Sequence, residues 1–275
     1  MEITARRLDA ALRGVEVESV LAPGVNALRS FDPPLSALEG RAIAGVGRRG
    51  KLFLVEFAGD LTLLVHLMSA GRLQLFEKRA GPRDRTSRLL VRLPGDRELR
   101  LREFGTKQAA WVKLLPSDVV FDDEMLATMG PEAWPDPPPF DELVTGNRPL
   151  HSLLRDQRVI AGIGRTWVDE ILHAAKLSPF KRGDDLSDAE VDALREAIAS
   201  ELERVVAYYG EHVALPLPEK FPKPTRIHAH QGEPCPTCGT VLEAVFYEDY
   251  VMTYCPHEQT EDRVLKDRRL SRLLK

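Results

Sequence analysis

The chain is poor in cysteine and aromatic residues and has no long apolar run. Three cysteines in 275 residues are too few for a disulfide framework, so their spacing is read for metal ligation instead. The longest apolar runs, such as LTLLVHL at 61–67, fall far short of the roughly 20 residues that cross a bilayer. No charged-then-apolar leader opens the sequence. These absences predict a soluble cytoplasmic protein with no membrane partner. A cap is missing too. MEITARRLDAAL places Ile3, Leu8, Ala11 and Leu12 on one helical face, yet no Ser, Thr, Asp or Asn precedes the first turn. Finally, Ser117 to Gly146 holds eight acids and no Lys or Arg.

That last absence bears on partners. A formal net charge of −4 argues against nucleic acid, whose phosphates must be neutralised. Outside the acidic segment, however, 34 acids face 38 bases. Basic clusters stand at Arg48-Arg49-Lys51, at Arg83 to Arg88 and in the tail RVLKDRRLSRLLK. Each is either solvated surface or an electrostatic footprint.

After the opening helix the pattern becomes that of strands: VEVESVLA, RAIAGVG, KLFLVEF, LTLLVHL, GRLQLFE, RLLVRL and ELRLREF, with turns at 58–60 and 94–96. The fold class is α+β. Residues 1–130 form a helix-plus-β-sandwich domain, 131–148 an acidic linker with five prolines in its first nine residues, 149–222 a helical domain, and 223–275 a cysteine-bearing module with a basic tail. The clearest helix is LSDAEVDALREAIASELERVVAYYG, with Ser187 and Glu190 as a capping box and Gly210 as its stop.

Three stretches carry chemistry. In LLRDQRVIAGIGRTWVDEIL, Gly162 and Gly164 let the backbone approach a ligand before a helix whose N–H groups point outward. Ordinary bundle packing is the alternative. Cys235-Pro-Thr-Cys238 followed by Cys255 resembles a zinc ribbon, with His257 or Glu258 near the place of a fourth cysteine. A metal-free hairpin packed by FYEDYVMTY is the other reading. Lys51, in GRRGK, is a solvated strand start, a phosphate contact, or an amine nucleophile with its pKa lowered by Arg48 and Arg49.

Taken in order, these pieces resemble the formamidopyrimidine-DNA glycosylase and endonuclease VIII family. GRRGKLFLVEF is similar to its RRGK strand, HLMSAGRL to its HLGMSG turn and RLREFG to its RRFG loop. DQRVIAGIGRTWVDEIL resembles its helix–two-turn–helix motif, and GEPCPTCG the start of its zinc finger. The resemblance implies a base-excision repair enzyme, an N-glycosylase and AP lyase acting on oxidised bases in duplex DNA held between its domains. It works as a monomer at the nucleoid, with structural Zn²⁺. An amine attacks C1′ of the extruded nucleotide, and the resulting Schiff base leads to strand cleavage.

In that family the amine belongs to an N-terminal proline within PELPE-V-E. Matching Glu2 to the glutamate after PELPEV puts Met1 on the valine, so the resemblance implies a native start five residues upstream. The alternative is a non-catalytic damaged-DNA-binding relative. A third reading makes Lys51 the substitute amine.

By the same resemblance Arg48, Arg49 and Lys51 contact DNA, and Arg102 and Phe104 fill the gap left by the extruded base. The family's wedge methionine aligns with Ser69, and Met68 replaces it only if the turn shifts. Gly162, Gly164 and Arg165, in place of an asparagine, hold a phosphate. His151 replaces an upstream lysine, and Tyr250, flanked by Glu248 and Asp249, replaces the finger's arginine. Cys235, Cys238, Cys255 and either His257 or Glu258 are the metal ligands.

Overall fold

A computed structural model describes residues 1–81, 84–104, 108–140, 143–144, 146–247 and 250–265. The expectations at Arg83, Gly105, Glu248, Asp249 and the tail beyond Leu265 lie outside these residues. The chain divides into two compact units, Met1–Thr128 with Tyr209–Phe221, and Met129–Tyr208 with Pro222–Lys275.

In the first unit helix α1 (Glu2–Leu12) buries Ile3, Ala5, Leu8 and Leu12, the face set by apolar spacing. Two four-stranded antiparallel sheets follow. One is ordered β1 (Ser19–Leu21), β6 (Ser87–Arg92), β7 (Glu98–Glu103), β5 (Gly71–Phe76), and the other β2 (Ile43–Arg49), β3 (Leu52–Phe57), β4 (Leu61–His66), β8 (Trp111–Pro116). Leu52, Phe53, Val55, Leu63, Leu64, Leu89, Leu99, Leu101 and Trp111 are among their buried side chains. The two turns read from sequence close hairpins β3–β4 and β6–β7. In each, Gly and Asp adopt positive φ together, Gly59 with Asp60 and Gly95 with Asp96, as two-residue hairpins require.

Strand β8 was not legible. Its WVKLLP stretch leads directly into the acidic segment and ends in proline, yet it pairs with β4 from Trp111↔His66 to Pro116↔Leu61. The segment 209–221 is anchored here by Arg7, which donates to the carbonyls of Gly210 and Val213, and by Gln74, which donates to that of Leu217.

In the second unit, the described residues form short helix α3 (Leu150–Arg155), α4 (Arg165–Ala174) and long α5 (Asp188–His212), whose last residues pass into the first unit. A four-residue helix α2 (Glu124–Ala127) precedes them in the chain. The capping box holds: Ser187 N–H donates to Glu190 Oε2 at 3.0 Å, and Glu190 N–H to Ser187 Oγ at 3.4 Å. Leu150, Leu153, Leu154, Ile160, Ile171 and Ile198 form the core. Ala133, Phe140 and Val144, from the stretch expected as a linker, are buried in it. Prolines there shape the backbone without preventing the side chains between them from packing. The hairpin β9 (Glu243–Phe246) and β10 (Val251–Tyr254) and helix α6 (Pro256–Thr260) complete the unit.

Candidate nucleic-acid interface and metal centre

In the first unit the candidate residues gather on turns at strand ends. The β2–β3 hairpin carries Arg48, Arg49 and, in its turn, Lys51. Arg48 Nε donates to Glu2 Oε2 at 2.7 Å, and Arg6 Nε to Glu2 Oε1 at 2.7 Å. Burial pushes the Glu2 carboxyl upward, but the bonds from Arg6 and Arg48 outweigh it and hold the pKa below its ordinary value. At the Met1 amino group, burial first and the Arg48 charge second lower the pKa to about 6.

At the β4–β5 turn stands one residue that sequence reasoning did not single out, His66, the last residue of β4. His66 Nδ1 accepts the Met68 N–H at 3.0 Å, and its ring stacks on Trp111 with centroids 5.4 Å apart. Burial, then the charges of Arg29 and Lys51, lower the His66 pKa, so the ring is neutral at pH 7. The signal was present in HLMSAG, where a histidine directly precedes the turn. Met68 is 48% exposed and sits at φ 49°, a left-handed conformation costly for a side chain with Cβ. Gly71 closes the turn, since a Cβ there would lie 2.4 Å from the Leu67 carbonyl oxygen.

Register Gly71↔Glu103 between β5 and β7 puts Phe104 at the sheet end from which the Met68 turn departs. Phe104 is 45% exposed. The Arg102 guanidinium lies over its ring, 4.5 Å from the centroid, with Nε donating to Thr86 Oγ1.

In the second unit Gln157 builds the loop before α4. Its Oε1 accepts the Gly162 N–H at 2.9 Å, and its Nε2 donates to the carbonyls of Arg155 and Ile163. Gly162 has φ 101°, open only to glycine without strain. Gly164 is the N-cap of α4 and provides no side-chain cap, which leaves N–H groups of the first turn suited to an anion. Exposed Arg165 follows at the first helical position.

His151, expected among the DNA-binding residues in place of a family lysine, is only 3% exposed. Its Nε2 lies 3.3 Å from Asp169 Oδ1 and its ring stacks on Tyr250 at 5.7 Å, so the structure gives it a supporting position. Tyr250 also stacks on Tyr247 at 4.3 Å and lies under the guanidinium groups of Arg155 and Arg165, at 4.1 and 5.2 Å.

Sulfur atoms of Cys235, Cys238 and Cys255 lie within 4.8 Å of one another, with Cys238 and Cys255 Sγ 3.4 Å apart. A thiol triplet this close could hold a metal ion. His257 and Glu258 are not brought into it: His257 Nδ1 is 3.0 Å from Asp262 Oδ1 and Glu258 Oε2 is 2.9 Å from Lys176 Nζ. Neighbouring partners of the opposite charge hold both side chains.

Residues 1–106 match the sequence model of the formamidopyrimidine-DNA glycosylase N-terminal domain, and residues 136–215 that of the formamidopyrimidine-DNA glycosylase H2TH domain. The formamidopyrimidine-DNA glycosylase of Moorella thermoacetica is 33% identical over 264 residues, covering 89% of this chain and 92% of its own. That of Pediococcus pentosaceus is 31% identical over 233 residues, covering 81% and 83%. A Lactococcus lactis Fpg (MutM) structure in complex with FAPY-dG-containing DNA superposes with a TM-score of 0.84 at 25% identity, covering 94% of this chain and 98% of that one.

Proposed function

The chain belongs to the formamidopyrimidine-DNA glycosylase family, and from that premise we propose that it is a DNA repair N-glycosylase with AP lyase activity. It acts on oxidised bases and abasic sites in duplex DNA, as a monomer at the nucleoid. The observation that carries this reading is the match of both family domains, in order, within one chain.

The reaction needs three things from the protein. An uncharged amine must reach C1′ of the damaged nucleotide, so that the base departs and a Schiff base forms. By the family resemblance that amine is N-terminal and lies upstream of Met1; among the residues of this chain, Lys51 in the β2–β3 turn is the candidate substitute. Apolar and planar groups must fill the space left by the extruded base, and Met68, Phe104 and Arg102 do this. Phosphates must be held while the duplex is distorted, a task for Arg48, Arg49, the Gly162–Gly164 loop and Arg165. His151 acts through Tyr250, which supports Arg155 and Arg165. The three cysteines hold structural Zn²⁺, a borderline-soft ion matched to thiolates.

The test is borohydride trapping on a duplex with one abasic site, which converts a Schiff base into a stable crosslink. The expected result is a crosslink with the wild-type chain that maps to Lys51 and disappears in Lys51→Ala. A version extended upstream by PELPE-like residues is run in parallel. Trapping confined to the extended form would move the amine off Lys51. Trapping in neither form, with a retained gel shift, would overturn the enzymatic reading in favour of DNA binding alone.

A further inference from the structure

The cysteine cluster has three sulfurs where a closed tetrahedral zinc site needs four donors. A C-x2-C knuckle starting at Cys255 would put the fourth at position 258, where Glu258 stands. Only the Glu258 backbone N–H turns to the cluster, 3.5 Å from Cys255 Sγ, while its carboxylate pairs with Lys176. His257 faces Asp262.

The imidazole that reaches the sulfurs comes from another element. His173, near the end of α4, is 6% exposed, and its Nε2 lies 3.3 Å from Cys235 Sγ. With Zn–S near 2.3 Å and Zn–N near 2.0 Å, the N-to-S edge of a tetrahedron is about 3.6 Å and the S-to-S edge about 3.8 Å. The His173–Cys235 and Cys238–Cys255 separations, 3.3 and 3.4 Å, come within a few tenths of those edges. The group with all donors inside 4.8 Å comprises the three sulfurs. His173 stands at the Cys235 corner of that group.

The position of His173 is fixed by its helix. Asp169, one turn earlier on the same face, accepts the Thr253 N–H at 3.0 Å. Glu170 accepts the N–H groups of Arg226, Ile227 and His228 at 2.9, 3.0 and 2.9 Å. These bonds clamp α4 to the backbone on both sides of the cysteine loop and so keep His173 beside Cys235.

We propose that His173 is the fourth donor of a Cys3His zinc site that ties α4 to the cysteine module. The proposal rests on the reading that the three cysteines hold zinc. It also gives the ion a second task, since the helix it would anchor begins at the Gly164–Arg165 end of the candidate phosphate site.

The test uses the full chain, with zinc content by metal analysis, zinc affinity by chelator competition, and visible absorption of the cobalt(II) form. Wild type is expected to bind one zinc ion per chain. His173→Ala should weaken zinc binding at least about 10-fold. His173→Cys should keep the metal, with stronger sulfur-to-cobalt charge transfer and d–d bands moved toward those of four thiolates. Glu258→Ala should leave affinity and spectrum unchanged. A His173→Ala protein with wild-type affinity and spectrum would overturn the proposal, and a loss confined to Glu258→Ala would assign the fourth position to that carboxylate. Absence of zinc from the wild type even after zinc is supplied would overturn the zinc reading itself, and the His173 assignment with it.

Discussion

The ring of Tyr250 lies flat against that of His151, with planes within 11° and centroids 5.7 Å apart. His151 is in turn held by Asp169 on α4. A finger residue is thereby stacked on the helix–two-turn–helix and covered by two guanidinium groups. Tyr250→Ala is expected to lower affinity for duplex DNA about two- to fivefold, the range of one exposed cation–π contact that no longer orients Arg165. Tyr250→Phe keeps the ring and should retain affinity. Fluorescence anisotropy with a labelled duplex reads both.

Met68 combines backbone strain with an exposed side chain. Met68→Gly relieves a left-handed φ and should raise stability by about 1 kcal/mol. The same change removes the apolar group proposed to enter the gap left by the base. Excision of a damaged base should therefore fall while cleavage at a preformed abasic site is retained. Chemical denaturation and the two activity assays, run side by side, check the opposite signs.

Arg165 provides one charge at the first turn of α4. Its removal in Arg165→Ala should weaken duplex binding on every sequence alike and reduce the slope of log affinity against log salt by about 0.9, the share of one phosphate. An unchanged slope would show that Arg165 contacts no phosphate.

Asp156 binds the loop before α4 to its flanks. Its oxygens accept from the Arg158 N–H and Nε at 3.1 Å and from Arg148 at 3.2 Å. The hydrogen bond from Arg158 is foremost in depressing its pKa to about 2 from the usual 3.8. Because the folded value is the lower one, the stabilisation is fully present above about pH 4 and is lost as pH falls through about 2. Asp156→Asn should lower the melting temperature at pH 7, and the difference from wild type should close between pH 4 and 2. Thermal unfolding of both proteins across that range measures it.

Glu170 is fully buried and accepts three backbone N–H groups. Glu170→Ala leaves those donors unpaired, at about 1–3 kcal/mol for each one that water cannot reach, and should release the 226–228 segment. Hydrogen exchange at those amides gives the readout, and Glu170→Gln, which keeps an acceptor, should lose less.

Much of this molecule was legible from local pattern. Alternating apolar residues marked seven strands, Gly-Asp pairs marked both hairpin turns, and Ser187 with Glu190 marked the start of the long helix. Each signal is short-range, written by periodicity, by φ preference or by one side chain reaching a nearby amide. The same holds for the cysteine spacing and the Gly162–Gly164 loop. What sequence left unread depends on partners distant along the chain. Strand β8 is specified by pairing with β4, Phe140 by a core assembled from three helices, and the buried state of His151 by Asp169 and Tyr250.

The amino-acid sequence by itself determined the opening helix, seven of the strands and the long helix, the order of the two family domains and the residue types available for phosphate, base-gap and metal contacts. Tertiary structure alone decided which of them meet. It turned Glu258 to Lys176 and brought His173, 62 residues before Cys235 in sequence, to within 3.3 Å of the Cys235 sulfur. A side chain's partner is set by where helices and loops pack, and that packing is a cooperative property of the whole unit that no single spacing records.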